Sequence, residues 1–243
     1  MSGTAAQWLL LGGAALVAST LAAVAGFGGA ALLLPPLVAL FGVRDAIPIL
    51  TVAQLVGNGS RVWLNRREVA VPVVGWFALG AVPLALLGGV VFATAPLGAL
   101  ERLVGVFLLG MVLWRHIPHA PVWRPGVRAF AALGAVFSFL SALVGSVGPL
   151  MAPFFLAYGL VKGAYIGTEA LATVVMHVVK LAAYQGTAIL TPRAVAVGLA
   201  LGPIMIFGSY VGKRILDRLP ERVFVYVIEA VLLGAGAWFV IGR

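Results

Sequence analysis

Long apolar runs, separated by short stretches that carry charges, Pro or Gly, recur along the whole chain. A membrane-spanning helix needs about 20 mainly apolar residues, so these runs predict the elements of the fold. They cover residues 7–25, 28–42, 46–64, 71–94, 98–114, 128–144, 147–160, 164–185, 193–211 and 222–241. The first run lacks the basic flank of a secretory signal peptide, and we expect it to span. The pattern predicts an all-α, polytopic membrane protein with eight to ten membrane segments.

Two of the runs, 28–42 and 147–160, are too short to cross a bilayer as helices. Each has about 14 residues, and at about 1.5 Å of rise per residue such a helix covers roughly two thirds of a hydrocarbon core of about 30 Å. We therefore expect a half-helix or a re-entrant segment at each of these places.

The two short runs hold the same place, second in a set of five, and each follows a Gly-rich stretch. Residues 26–42 read GFGGAALLLPPLVALFG and residues 145–159 read GSVGPLMAPFFLAYG, with Pro36 and Pro153 each six residues before the closing Gly. This duplication is typical of an internal repeat. Because five segments per repeat reverse the direction in which the second copy enters, the pattern predicts inverted repeats. We expect a first repeat at 1–115, a connecting loop at 116–127 and a second repeat at 128–243.

The basic residues give an independent prediction of topology. If all ten segments alternate, 11 basic residues lie on one side and 4 on the other. The larger set is Arg61, Arg66, Arg67, Arg115, Arg124, Arg128, Lys162, Lys213, Arg214, Arg218 and Arg222, and the smaller set is Arg44, Arg102, Arg193 and Arg243. The positive-inside rule then predicts that the larger set faces the cytoplasm and that both termini lie outside.

The same charge count can be made for two other topologies. If only the two short segments failed to cross, the tally would be 8 to 7 and the bias would vanish. If two neighbouring segments both stopped halfway, every later loop would stay on the same side of the membrane, and the count would not change. The charges therefore leave open whether the chain makes ten crossings or eight crossings with two re-entrant hairpins.

The overall composition excludes several classes of protein. With 63% hydrophobic and 9% charged residues, the chain does not have the surface of a soluble domain. Its net charge of +9 reflects Lys and Arg held on the cytoplasmic side, so we expect no nucleic-acid partner. The absence of Cys excludes disulfides and thiolate chemistry. Because His116 and His119 lack a third ligand, we expect neither a metal site nor another cofactor.

The duplicated Gly-rich turns are candidate anion-binding elements. Their residues precede the two short segments and are Gly26, Gly28, Gly29, Gly145, Ser146 and Gly148. A helix that begins within the membrane offers unpaired N–H groups and the positive end of its dipole to a ligand. The other interpretation is that these small residues only permit close helix packing. We favour the binding site because the motif is duplicated before a short segment.

Run 164–185 carries a polar strip on one helix face. Its members recur every three or four residues, within about 80° of the circumference, and are Glu169, Thr173, His177, Lys180 and Tyr184. Ionisable groups inside a membrane are costly and usually face a bundle interior or a water-filled path. We expect Thr173, His177 and Lys180 to contact the substrate. Glu169 and His177 are candidates for proton coupling, since an imidazole changes charge near neutral pH.

The polar strip has a second interpretation. Lys180 and Glu169 could extend to the two membrane interfaces. In that case Thr173 and Tyr184 would only bond to neighbouring helices.

Two further runs contribute polar groups. In run 46–64 one helix face carries Thr51, Gln54 and Asn58. We expect the amides of Gln54 and Asn58 to bind the substrate, because neutral donors can ligate an oxyanion without trapping it. In run 222–241, Glu229 is either a third candidate for proton coupling or an ion-pair partner of Lys180 or Arg222.

Two Gly-rich turns, GFGG at 26–29 and GSVG at 145–148, are each followed by Pro, a Gly and an Ala-led helix (AIPILTVAQ and AYIGTEALA). This duplicated pattern resembles the sulfite exporter TauE/SafE family of bacterial transporters. The similarity covers nearly the whole chain and departs from the family pattern at Pro149. The resemblance implies a multi-pass carrier in the bacterial cytoplasmic (inner) membrane. It also implies a sulfur-containing oxyanion, such as sulfite or an organosulfonate, as the substrate.

These observations favour a secondary transporter, and not an enzyme, that moves a small sulfur-containing anion by alternating access at a midplane site. An intramembrane enzyme that uses Glu169, His177 and Lys180 would need a nucleophile or metal with suitable spacing. A membrane scaffold without a substrate would leave the polar strip unexplained. The sequence leaves open the direction of transport, whether a proton or another ion drives it, and whether the chain forms homo-oligomers.

Overall fold

The structure, a computed structural model, describes residues 5–116, 124–218 and 220. Within these residues the chain forms helices and no β-strand. The helices are α1 Ala5–Ala25, α2 Gly29–Asn65, α3 Val71–Thr94, α4 Leu97–His116, α5 Ala129–Val144, α6 Gly148–Ala157, α7 Lys162–Gly186, α8 Pro192–Ala200 and α9 Gly202–Arg218. The predicted run 222–241, with Glu229, lies outside the described residues, as does His119.

Five stretches of this helical chain are long and apolar enough to cross a membrane. They are α1, α2, α3, α7 and the combined stretch Pro192–Arg218. Helices α5 and α6 are apolar but shorter. The prediction of an all-α, polytopic membrane protein is confirmed. The segment expected at 193–211 is confirmed as one stretch, which runs on to Arg218. Only Leu201, whose backbone angles are helical, separates α8 from α9.

Both short segments are confirmed as helices that cannot cross a bilayer. Helix α2 bends at Gly42, whose φ of 73° is in the left-handed region that favours glycine. Its arm before the bend, residues 29–41, is therefore about 20 Å long, and the 10 residues of α6 reach about 15 Å. Neither length spans a hydrocarbon core of about 30 Å.

Helices of one half of the chain pack mainly against helices of the other half. Helix α1, the first of its half, packs mainly on α9, while α5, the first of the other half, packs on α3. Helix α2 packs on α7, which is the third element of the second half. Glycines permit the close crossings, since a Cβ at Gly134 would collide with the backbone of Phe77 and one at Gly212 would lie 2.5 Å from the carbonyl oxygen of Thr20. The boundaries of the two repeats stay a prediction.

Contacts between loops sort the helix ends into two groups. At one end, Arg44 donates to the carbonyls of Ala93 and Ala95, and the Arg193 guanidinium lies 5.5 Å from the centroid of the Phe41 ring. We call this the Arg44 end.

At the opposite end, Lys213 Nζ lies 3.8 Å from Glu68 Oε1, and we call this the Glu68 end. A topology in which only the two short segments failed to cross would put Arg193 and Phe41 on opposite sides, and likewise Lys213 and Glu68. These contacts exclude that topology. They agree with the alternating arrangement, and also with paired half-crossings.

Candidate functional site

A small cavity lies where the two Gly-rich turns meet α2 and α7. Gln54, in its wall, stands halfway along the second arm of α2, residues 43–65, and Thr173 stands near the middle of α7. The cavity therefore lies deep within the helix bundle. Its volume is about 30 Å³, and one water needs about 10–15 Å³ on this scale, so it holds only a few small atoms.

The Gly-rich turns bring two helix N-termini to this cavity. The backbone is left-handed at Gly26, Gly28 and Gly145, with φ of 84°, 94° and 81°, a conformation that a residue with a Cβ rarely adopts. Helix α2 then begins at Gly29 and α6 at Gly148. The first N–H groups of α2 have no intrahelical acceptor, and both helix starts carry the positive end of the dipole. Helix α6 offers fewer donors, because Pro149 has no N–H and the Leu150 N–H donates to the Val147 carbonyl at 3.0 Å.

Close packing accounts for part of the glycine requirement. A Cβ at Gly29 would lie 3.0 Å from both the carbonyl oxygen of Ala18 and the Cβ of Ala22. A Cβ at Gly148 would lie 3.1 Å from Phe27 Cβ and 4.0 Å from Glu169 Oε1. The packing interpretation thus holds for Gly29. At Gly148 the added atom would also narrow the cavity.

Helix α2 presents a longer polar strip than the three residues predicted from the sequence. Gln54 and Asn58 line the cavity as expected, whereas the Thr51 hydroxyl donates to the Ile47 carbonyl in its own helix. The strip continues to Arg61, which is only 4% exposed, and to Asn65. Arg61 is therefore a buried residue of the helix bundle, although it was counted with the cytoplasmic basic residues in predicting the topology. The continued spacing of three and four residues was the signal that could have revealed it.

Arg61 connects the end of α1 to α7. Its Nη1 donates to the carbonyls of Ala22 at 3.0 Å and Gly26 at 2.9 Å, and its Nη2 donates to Asn58 Oδ1. The same guanidinium forms an ion pair with Glu169, with 3.5 Å between Nη1 and Oε2. It therefore satisfies carbonyls at the C-terminal end of α1 and also puts a positive charge on the cavity wall.

Glu169 is buried within the helix bundle. The second interpretation, in which its side chain extends to the membrane interface, is therefore wrong. Its Oε1 accepts a hydrogen bond from the Thr173 hydroxyl at 3.1 Å. Its Oε2 has no hydrogen-bond partner among the described residues and is held by the charge of Arg61 alone. Glu169, Thr173 and His177 all line the cavity.

Lys180 lies behind the cavity wall and does not extend to the interface. It is fully buried, at 0% exposure, and its Nζ donates to the Ser141 hydroxyl at 3.1 Å. Ser141 itself lines the cavity. No carboxylate of the described residues lies within ion-pair distance of Lys180. Tyr184, at the end of the same strip, donates to the Ala142 carbonyl at 2.7 Å.

Four buried polar atoms in the cavity wall have no hydrogen-bond partner within the described part of the chain. They are Gln54 Nε2, Ser146 Oγ, His177 Nδ1 and the carboxylate oxygen Glu169 Oε2. Leaving a buried polar atom unpaired costs about 1–3 kcal/mol, so these atoms are positioned to bond to a small polar ligand or to water. The charges around them are Arg61, Lys180 and two positive helix ends against one carboxylate, which favours an anion. Among the described residues no cluster of His, Cys, Asp and Glu could hold a metal ion.

The site residues predicted from the sequence thus come together around one cavity. Lys180 is separated from this cavity by Ser141, and Glu229 lies outside the described residues. Comparison with known proteins gives one finding. The family model described as "Sulfite exporter TauE/SafE" matches residues 11–239. No curated protein and no solved structure matches the chain.

Proposed function

Because the chain belongs to the sulfite exporter TauE/SafE family, we propose that it is a secondary transporter which exports a small sulfur oxyanion, with sulfite as the first candidate. The observation that carries this proposal is the group of unpartnered polar atoms at the meeting point of two helix N-termini. They lie at mid-length of the second arm of α2 and of α7, which is the depth at which alternating-access carriers bind their substrates.

Each part of the wall has a role in this proposal. The N–H groups that begin α2 and α6, with the Gln54 amide and the Ser146 hydroxyl, bind the oxygens of the anion. Thr173, His177 and Asn58 complete the wall. Lys180 adds positive charge through Ser141 without touching the ligand. Neutral donors form most of the direct contacts, so the anion can leave as well as bind.

The size of the cavity favours compact anions. A volume of about 30 Å³ fits a group of a few atoms such as the head of an oxyanion. A longer sulfonate such as taurine or sulfoacetate would also have to place a carbon chain and a second polar group. We therefore expect sulfite to be preferred over these two compounds.

The membrane placement follows from the charges and belongs to the proposal. With the Glu68 end in the cytoplasm of a bacterial cell, most basic loop residues face inwards and the N-terminus faces outwards. The two halves, 1–115 and 128–243, would then move relative to each other around the cavity. Glu169, His177 and Glu229 are the candidate proton carriers.

The direct test is transport by the purified protein in proteoliposomes. Labelled sulfite, sulfoacetate, taurine and sulfate are offered with and without a pH gradient, and the recovered label is checked for chemical change. We expect saturable sulfite movement with the label unchanged. Conversion of the label would indicate an enzyme, and no movement of any anion would contradict the proposal.

A matched pair of variants links transport to the cavity. Gln54→Leu removes an unpartnered donor from the wall and should reduce sulfite affinity by roughly tenfold, as expected for one hydrogen bond to a charged ligand. Gln185→Leu makes the same change at an exposed position near the end of α7 and should leave transport unchanged. Equal affinity in both variants would separate the transport activity from this cavity.

A further inference from the structure

The ion pair between Arg61 and Glu169 is unusual because it stands in the wall of a cavity that suits an anion. Three of its contacts fix the guanidinium, namely the carbonyls of Ala22 and Gly26 and the side chain of Asn58. The carboxylate is held less firmly, since Oε2 accepts no hydrogen bond from any described residue. Arg61 is thus a fixed cation, while its counter-ion could be exchanged.

A carboxylate and a sulfur oxyanion can both serve as the counter-ion of a guanidinium, because each presents negatively charged oxygens. Both cannot remain charged side by side in a small buried cavity, because like charges at short distance disfavour ionisation. An anion that reaches Arg61 must therefore either expel the Glu169 carboxylate or find it protonated. Glu169 is buried among helices α2, α6 and α7, with little space into which it could be expelled.

We propose that the ionised Glu169 carboxylate and the transported anion are alternative counter-ions of Arg61, so that anion binding and protonation of Glu169 occur together. This inference rests on the proposed function and adds its coupling ion. In the empty state, Arg61 pairs with the ionised carboxylate. In the loaded state, the anion pairs with Arg61 while the Glu169 carboxylate has accepted one proton from the side to which the cavity is open. When the anion leaves, the same proton is released with it, so the outward concentration gradient of the anion drives export and a more acidic exterior opposes it.

Other titratable groups near Glu169 are few. Arg61 faces it from α2, and Tyr165, His177 and Lys180 belong to its own helix. The cavity residues of α5, α6 and both Gly-rich turns are not titratable. His177 is thus the one rival proton carrier among the described cavity residues, because its Nδ1 also has no partner there.

The experiment uses sulfite as the probe and the full chain in proteoliposomes, with the membrane voltage clamped. In wild type, an imposed pH gradient should drive several-fold accumulation of labelled sulfite. Glu169→Gln keeps the size of the side chain but cannot ionise, so we expect the accumulation ratio to fall to one while sulfite–sulfite exchange continues. Glu68→Gln, at a carboxylate whose side chain is 50% exposed, is the matched control and should accumulate sulfite as wild type does.

The pH dependence of binding gives a second measurement with a defined sign. Since the ionised carboxylate competes with the anion, sulfite affinity of wild type should fall as pH rises, by up to about tenfold per pH unit for one coupled proton. The protonation of sulfite itself is common to all variants and cancels in a comparison. In Glu169→Gln, sulfite affinity should vary with pH only as far as the protonation of sulfite itself requires. Its affinity should match or exceed that of wild type.

A wild-type measurement keeps the inference testable if Glu169→Gln does not fold. Addition of sulfite should produce the infrared carbonyl band of a protonated carboxylic acid, because one buried carboxylate accepts a proton. The band should persist in Glu229→Gln, which removes the other candidate carboxylate. Absence of the band in wild type, or its loss in Glu229→Gln, would overturn the assignment to Glu169.

The outcomes separate the inference from the proposed function. If wild type moves no sulfite in either mode, the proposed function fails and the inference fails with it. If wild type moves sulfite and Glu169→Gln still accumulates it along a pH gradient, only the inference fails. If His177→Gln loses accumulation while Glu169→Gln keeps it, the proton carrier is His177, and the inference is again overturned.

Discussion

Replacement of Lys180 by Gln should weaken sulfite binding by about two orders of magnitude at every pH tested. The Lys180 Nζ lies 3.1 Å from the Ser141 hydroxyl. An anion that accepts a hydrogen bond from Ser141 at about 2.8 Å would lie about 5 to 6 Å from the ammonium. With an effective dielectric constant of about 20, that charge contributes close to 3 kcal/mol, which corresponds to roughly 100-fold in Kd.

Calorimetric titration of sulfite into the purified variants measures this difference directly. A Gln side chain can still bond to Ser141, so the substitution removes the charge and retains a polar partner. Ser141→Ala provides the complementary change, because it keeps the Lys180 charge and removes the intermediate hydroxyl; we expect a loss of roughly tenfold or less. Lys213→Gln, at a cation whose Nζ is 2.7 Å from Asp217 at the Glu68 end, should bind sulfite as wild type does.

Unchanged affinity in Lys180→Gln across pH would refute this account of Lys180. The side chain would then be a structural donor to α5, and the helix N-termini with Gln54 would form the anion site unaided. A loss as large in Lys213→Gln would indicate that total charge, and not position, controls binding.

Three further predictions concern the turns, the packing and the topology. Gly28→Leu and Gly148→Leu should each abolish sulfite transport at normal membrane levels, since one strains a left-handed backbone and the other fills space beside Phe27 and Glu169; normal transport by either would favour a packing role alone. Gly134→Val, which forces a side chain against the Phe77 backbone, should cost about 1–3 kcal/mol and lower the melting temperature, whereas Gly98→Val, with open space around it, should not. Reporter fusions should place the N-terminus outside and the loop at Arg66 in the cytoplasm, and the reverse pattern would exchange the two faces.

The apolar runs allowed most helices to be predicted, because lipid exposure requires continuous hydrophobic sequence. They did not reveal that the run at 193–211 continues to Arg218, since the charges of Lys213 and Arg214 interrupt its apolar pattern. The halved second segments were predictable because Gly and Pro mark their ends. The way in which α1 packs on α9 and α5 on α3 depends on contacts between residues far apart in the chain.

The candidate site was predictable from its two polar strips, but its charge balance was not. Arg61 stands four residues before the end of α2, where an arginine ordinarily extends to the interface. Only the tertiary structure shows that it turns inwards to the end of α1 and meets Glu169 from the other half of the chain. The position of Lys180 also differs from the one predicted. It was expected to touch the substrate, but it instead supports Ser141 from behind.

The most direct test of the central claim is to locate a bound anion in the protein. Selenite, the heavier analogue of sulfite, can be found by its anomalous scattering in crystals of the wild type and of Gly148→Leu. The account predicts one selenium peak between the N-termini of α2 and α6, within hydrogen-bonding reach of Gln54 and Ser146, and the loss of that peak in the variant. Selenite bound elsewhere in a protein that transports sulfite, or bound unchanged in Gly148→Leu, would contradict it.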